Sequence, residues 1–316
     1  MTTSGSVDYN NTGQELVTGA MRLLGVLASG ESATASEMQD GLQSLNQMLK
    51  AWQADGFHLW KYEEGVVFLT VGKASYLVGP SGDHVTTDGN YTQTTLSSAA
   101  ASGASSIEVA SITGIANGDN IGVVLDDGSI DWTTVNGAPA GSTVTLTATL
   151  DSAAASGNIV YAHTNKIERP LKITDARRHD VSAGTDTPFA NMISREEYFD
   201  LPNKASQSNP TQGYYDPQLT NGVLYIWPTS STSSDVVKFT CQIPIEDVDS
   251  QTNTIDFPQE WMECLKWNLA VRLGPEYDTP LDRIQWLQGQ ADRKRVVLLE
   301  WDAGDEDIYF QVDVTG

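Results

Sequence analysis

The order of periodicities along the chain restricts its fold most. Apolar residues recur at helical spacing near both ends and in short strand-like runs between them. From Gln14, the residues Leu16, Val17, Ala20, Met21, Leu23, Leu24 and Leu27 form a broad apolar face that Gly30 closes. Thr34-Ala35-Ser36-Glu37 is a capping box, in which hydroxyl and carboxylate satisfy the free N–H groups at a helix start. Met38, Leu42, Leu45, Leu49 and Trp52 then follow as a narrow stripe, and Asp55-Gly56 supplies a stop. Asp256-Phe257-Pro258-Gln259-Glu260 opens a third helix whose stripe is Trp261, Leu265, Asn268, Leu269, Arg272 and Leu273, stopped by Gly274-Pro275. Pro280 begins a fourth, with Ile284, Leu287, Ala291, Leu298 and Trp301 on one face and Lys294 interrupting it. Stripes this narrow hold no core alone. The two pairs, Gln14–Asp55 and Pro258–Trp301, are therefore expected to pack as one discontinuous four-helix bundle.

Between the pairs the pattern is β. Val66–Leu69 with Val71, and Tyr76–Val78, read as two strands joined near Gly72-Lys73. Gly222–Pro228 and Val236–Ile243 are further strands, and Ser194-Arg195-Glu196-Glu197 caps a short helix. Residues 88–165 differ in composition: they hold no Lys or Arg and are dense in Thr, Ser, Gly and Ala. Strand signals at Ser106–Ala110, Asn120–Leu125, Trp132–Val135, Val144–Leu150 and Ile159–Tyr161 alternate with Asn117-Gly118, Asp127-Gly128 and Asn136-Gly137. The similar stretches LSSAAASGASS and LDSAAASGN are taken as shared composition rather than a repeat. The expected class is α+β. Residues 1–60 and 255–301 form the bundle, 61–87 and 166–254 a β-rich host domain, and 88–165 an inserted all-β barrel or sandwich. Residues 302–316 form an acidic tail with a terminal strand.

A net charge of −23 argues against a grip on nucleic acid or on an anionic membrane, since phosphate contacts need clustered cations. Solubility explains such a charge, and so does a wall that repels DNA passing along it. Two cysteines, Cys241 and Cys264, do not make a disulfide scaffold. No secretion signal is expected, and no apolar run approaches the roughly 18 residues of a membrane span. His58, His84, His163 and His179 lie in no metal-ligand spacing. Asp247-Val248-Asp249 begins like a calcium loop but lacks its later Gly and Glu. Phosphate-loop and nucleophile-elbow patterns are missing, and adjacent acids such as Glu63/Glu64 and Glu196/Glu197 are uninformative in so acidic a chain. No catalytic set, metal or cofactor is expected, and the chain is read as a non-enzyme. At its end, Ile308, Phe310, Val312 and Val314 alternate around Tyr309, as in a strand that adds to a neighbour's sheet or packs back on its own.

One family resemblance runs through these segments. Ser32–Trp60, with Leu42, Leu45, Asn46, Trp52 and Gly56 as an L-x-x-L-N then W-x-x-x-G pattern, resembles the N-terminal helix region of podovirus head-to-tail adaptors. PLKITDARRHD, ISREEYFDLPNK, GYYDP, GVLYIWP and DFPQEWMECLKWNLAVRLGPEYDTP follow in the family's order, with departures at Arg272-Leu273-Gly274 and Asp278. The resemblance covers 32–87 and 166–285 and skips 88–165. It implies a homo-oligomeric ring, usually a dodecamer, under the portal protein of a virion neck, assembled in the host cytoplasm. Such a ring extends the DNA channel, lets DNA pass without specific binding, and carries tail nozzle, tube or fibre proteins. Carried over by position, Ile308, Tyr309, Phe310, Val312 and Val314 become the portal-facing segment, and the insert lies on the periphery or merely fills space. Two other functions stay open: a tail-associated, muramidase-like cell-wall hydrolase, and a receptor- or glycan-binding tail protein using the insert and Trp132.

Overall fold

The computed structural model describes residues 5, 9–54 and 61–302. The stop at Asp55-Gly56, His58 and the tail candidates Ile308, Tyr309, Phe310, Val312 and Val314 lie outside them. The N-terminal part contains helices α1 (Gly13–Leu24) and α2 (Ala35–Ala54). Strands β1 (Tyr62–Phe68), β2 (Ser75–Val78) and β3 (Val85–Thr87) follow. The inserted segment contributes β4 (Tyr91–Thr95), β5 (Ser106–Glu108), β6 (Asn120–Val124), β7 (Ile130–Thr134), β8 (Thr143–Thr145) and β9 (Ile159–His163). Then come β10 (Lys172–Asp180), β11 (Thr185–Pro188), β12 (Asn191–Met192), α3 (Arg195–Asp200), β13 (Gln207–Ser208) and β14 (Gln212–Asp216). The last elements are β15 (Gly222–Trp227), β16 (Thr229–Ser230), β17 (Val236–Gln242), α4 (Met262–Leu273) and α5 (Leu281–Asp302). The fold is thus mixed α and β, mostly sheet, in two compact units: Lys61–Pro244, and the segments on either side of it.

In the helical unit, local chemistry sets the helix starts. Thr12 caps α1 reciprocally with Glu15, and the Glu37 carboxylate at the start of α2 accepts from Thr34 N and Oγ1, both at 2.7 Å. Gly25, at φ 81°, ends α1. Gly41 lets α1 and α2 approach, because a Cβ there would run into Val17. Met38, Leu45, Leu49, Trp52, Trp261, Leu265, Leu269 and Leu287 are buried in one apolar core with Leu16, Val17 and Met21 of α1. Trp261 sits in a 3₁₀ turn ahead of α4, its ring edge-on to Trp52 at 6.1 Å. Two expected core residues are only half-buried: Leu42 faces a groove beside α2, and Ile284 rests against Gly274. The helix α4 packs against α1, α2 and α5, whereas α5 lies along α4 and, among the described residues, fully buries only Leu287 and Ala291.

The β unit holds a five-stranded sheet (β11-β10-β17-β1-β3) and a four-stranded one (β12-β14-β15-β2). The two strands joined near Gly72-Lys73 do not pair with one another: β1 pairs with β17 and β3, and β2 pairs with β15. Phe239, Leu224, Ile226, Tyr76 and Val67 fill the core shared by the two sheets.

The insert has its own core around Ile107, Ile121, Val144 and Val160. Its sheet runs β4-β9-β6-β7 beside a β5-β8 ribbon, and of the two expected forms, barrel or sandwich, these strands do not close into the barrel. Of the three turn dipeptides, only Asp127-Gly128 joins two paired strands. The two AAASG stretches are equivalent in space, correcting the compositional reading. Ala100 and Ala154 exchange backbone hydrogen bonds, at 2.8 and 2.9 Å. Gly103 N donates to Leu150 O as Gly157 N donates to Leu96 O, and Ser102 Oγ donates to Asp151 O as Ser156 Oγ donates to Ser97 O. The two stretches clasp one another about a local pseudo-twofold axis.

Candidate functional site

The helix α5 is the element whose sequence its own fold does not use up. A surface helix buries one stripe and turns polar residues outward. Here Leu281, Trp286, Val296, Val297 and Leu299 all face out, with Trp286 56% and Val297 64% exposed. The ring of Trp286 lies 5.7 Å from that of Trp267 on α4. Nearby, Lys294 Nζ pairs with Glu263 at 2.7 Å and stands over the Trp267 ring. That ion pair holds the Glu263 carboxyl below its usual range. Between α4 and α5 runs an open groove of 380 Å³, with the buried Cys264 at its base and Arg293, Lys294, Val297 and Leu298 along its α5 side. Burial pushes the Cys264 thiol up to about 12, which makes it groove lining rather than a nucleophile.

A second surface lies on the β unit, where three of the family-like motifs meet. Tyr198 of α3 packs on Tyr214 of β14 and Tyr225 of β15, whose rings stack at 5.6 Å, and Phe199 lies edge-on to Tyr198. Lys204 Nζ lies 5.4 Å from the Tyr198 ring centre and 5.7 Å from that of Phe199, while it donates to Phe199 O and Leu201 O. The Arg195 guanidinium also lies 5.5 Å from the Phe199 ring centre. Phe199 is 54% exposed, and Leu219 in the β14–β15 loop is 95% exposed. Aromatic and cationic side chains together suit a protein contact.

Two of the histidines that sequence spacing left apart do meet. His84 stacks on Trp132 at 4.0 Å, and its Nδ1 lies 3.2 Å from His163 Nε2. Burial pushes the His84 imidazole down to about 3, with Lys166 adding repulsion, and burial also lowers His163. These rings, with Phe68, Tyr91 and Tyr161, seal the insert onto the host sheet. Tyr161 Oη donates to Ser233 O and Ser234 O, and Gly128 O accepts from Val71 N and Ser233 Oγ. The third described histidine lies elsewhere: His179 Nδ1 is 2.6 Å from Asp186, which also bonds Arg177. Cys241 is buried and, like Cys264, free, its thiol pushed up to about 12 by burial. Among the described residues no group of three His, Cys, Asp or Glu is placed to hold a metal, and no helix is long and apolar enough to cross a membrane.

Comparison with known proteins adds little to this geometry. No protein-family model matches the chain. No curated protein matches it either. Among solved structures it is similar to the Gp54 tailspike of Acinetobacter baumannii bacteriophage AP22, solved in complex with A. baumannii capsular saccharide. The identity is 25% over 25% of this chain and 15% of that one, with a TM-score of 0.21.

The exposed residues of α5 and the tyrosine cluster are the features that a search for core stripes passes over. In α5 the signal was present, since apolar residues occur on more than one side of its helical wheel. The cluster joins segments far apart in sequence, and no local pattern announces it.

Proposed function

We propose that the chain is a structural protein of a virion, a head-to-tail adaptor that assembles as a ring under the portal and offers the tail its attachment platform. The observation that carries this is the outward apolar face of α5, in a chain whose net charge of −23 otherwise favours solvent. Exposed aliphatic and aromatic side chains of this number mark a surface built to be covered. In the proposed ring the helical unit acts as a discontinuous bundle facing the portal. The segment with Ile308, Phe310, Val312 and Val314 extends that contact, and the cation-free insert sits on the periphery. DNA passing through the lumen is repelled rather than held.

The test is binding of the purified chain to the portal ring of the same virus, read by sedimentation and by counting symmetry in electron micrographs. Deleting 302–316 is expected to abolish docking while leaving a folded chain, and Trp286→Glu with Val297→Asp is expected to weaken it about tenfold or more. No binding of the intact chain would sink the proposal, and docking that survives both the deletion and the double substitution would sink the contact surface assigned to it.

Two other readings make different demands on the geometry. A glycan platform built on Trp132 finds that ring stacked against His84 in the joint. For a muramidase, Glu64 is bonded to Arg177 and Glu197 caps α3, so neither is poised as a free acid over a cleft. A cell-wall zymogram is expected to show no clearing.

A further inference from the structure

We propose that Asn136 is a site of spontaneous deamidation in the insert, and that the side chain of Asn117 holds the reaction back. Asparagine followed by glycine is the pair most prone to this chemistry, because glycine leaves the backbone free to bring its nitrogen onto the preceding side chain. The sequence has three such pairs: Asn117-Gly118, Asn136-Gly137 and Asn221-Gly222. In the reaction the glycine nitrogen gives up its proton and attacks Cγ of the asparagine. A bond forms from that nitrogen to Cγ, the bond from Cγ to the side-chain nitrogen breaks, and ammonia leaves. Water then opens the succinimide at either carbonyl. The products are aspartate and isoaspartate, the second with one more carbon in the main chain.

The three pairs are held differently. The Asn221 amide is tied on both sides: its Oδ1 accepts from Ser81 N and Oγ, and its Nδ2 donates to Ser81 Oγ. Gly222 is buried in β15, opposite Val78 of β2. Asn117 is exposed, but its Oδ1 accepts from Gly137 N at 2.7 Å, and Gly118 N donates to Val135 O at 3.0 Å. Asn136 is exposed too, and its side chain makes no hydrogen bond with the described residues. Its Cγ is therefore open, and only the attacking nitrogen is restrained. That nitrogen belongs to Gly137, which sits at φ 83° with open space where a Cβ would lie, so no neighbouring side chain blocks the approach. The proton it must lose is the one it donates to Asn117. A single hydrogen bond between two loops thus stands between Asn136 and its own chemistry. Conversion adds a negative charge to a module with no Lys or Arg to offset it, and isoaspartate lengthens the chain next to the bridge between Val135 and Leu146.

The experiment incubates the full chain and two variants, Asn117→Ala and Asn117→Asp, in warm, mildly alkaline buffer. Peptides are mapped by mass after chymotrypsin, since trypsin has no site within the insert. Removing the acceptor with Asn117→Ala is expected to speed conversion of Asn136 about fivefold, the factor that one ordinary hydrogen bond is worth. The Asn117→Asp variant keeps an acceptor oxygen and is expected to leave Asn136 at the wild-type rate. In urea all three chains are expected to convert Asn136 at one rate. Conversion no faster in Asn117→Ala than in the wild type would overturn the proposal, as would equal acceleration in both variants. A difference that persists in urea would overturn it in favour of local sequence. Acceleration accompanied by faster hydrogen exchange throughout β6 and β9 would overturn it in favour of a loosened insert.

Discussion

At the scale of single residues, the His84–His163 contact is the most condition-dependent feature. Two ring nitrogens 3.2 Å apart share one hydrogen bond only if one donates and the other accepts, so protonating both breaks it. Burial, then repulsion by Lys166 and His163, lowers His84, while Asp83 opposes and Lys73 adds to the shift; Asp119 partly offsets the lowering of His163. With the folded value of His84 near 3 and the unfolded one at 6.5, the unfolded chain binds the extra proton between them. The stabilisation from His84 is therefore complete above pH 6.5 and drains away as pH falls towards about 3. The melting temperature of the full chain is expected to drop across this window. His84→Phe, which keeps a ring on Trp132, is expected to flatten the part of the drop due to this site. An unchanged slope in that variant would mean that the imidazole does not titrate with folding.

At the scale of elements, the clasp in the insert yields a paired prediction. Gly103 and Gly157 occupy equivalent turns at φ 80° and 91°, and a Cβ at either would meet nothing within 4 Å. Substituting Ala therefore imposes backbone strain alone, about 1 kcal/mol at each site. Equal losses in denaturant midpoint for Gly103→Ala and Gly157→Ala are expected, and losses that differ several-fold would argue against the equivalence. What was legible in the sequence was mostly local. The capping box at Thr34 and the stripe from Met38 to Trp52 are short-range chemistry, and both stand in the structure. The pairing of β1 with β17 was not legible, because strands choose partners by edges and packing across the unit rather than by neighbours in sequence. The clasp escaped notice for a related reason, since small residues give so little pattern that a real equivalence looks like composition. The candidate surface on α5 was half-visible: its residues were in view, but burial by α4 decided which side faced water.

At the scale of the whole molecule, the insert is fastened to its host more firmly than a tethered domain. Its first and last strands, β4 and β9, pair with Tyr91 opposite His163, so a short turn could bridge the cut if the segment were excised. The obstacle is the joint, because Val66, Phe68 and Val236 of the host are buried there. A chain with 91–163 replaced by a short glycine linker is expected to aggregate, and Phe68→Ser in the same background is expected to raise the soluble monomer fraction. Size-exclusion chromatography decides the matter, with equal monomer fractions counting against the joint as the obstacle.

The absence of Lys and Arg from the insert has a consequence beyond electrostatics. After Lys73 the next cationic residue is Lys166, so the whole of the insert lies between two neighbouring sites for trypsin-like proteases. Enzymes of that specificity have no bond to cut within it, folded or unfolded. Against proteases of that specificity alone, this module stays intact for reasons of covalent sequence, whatever the stability of its fold.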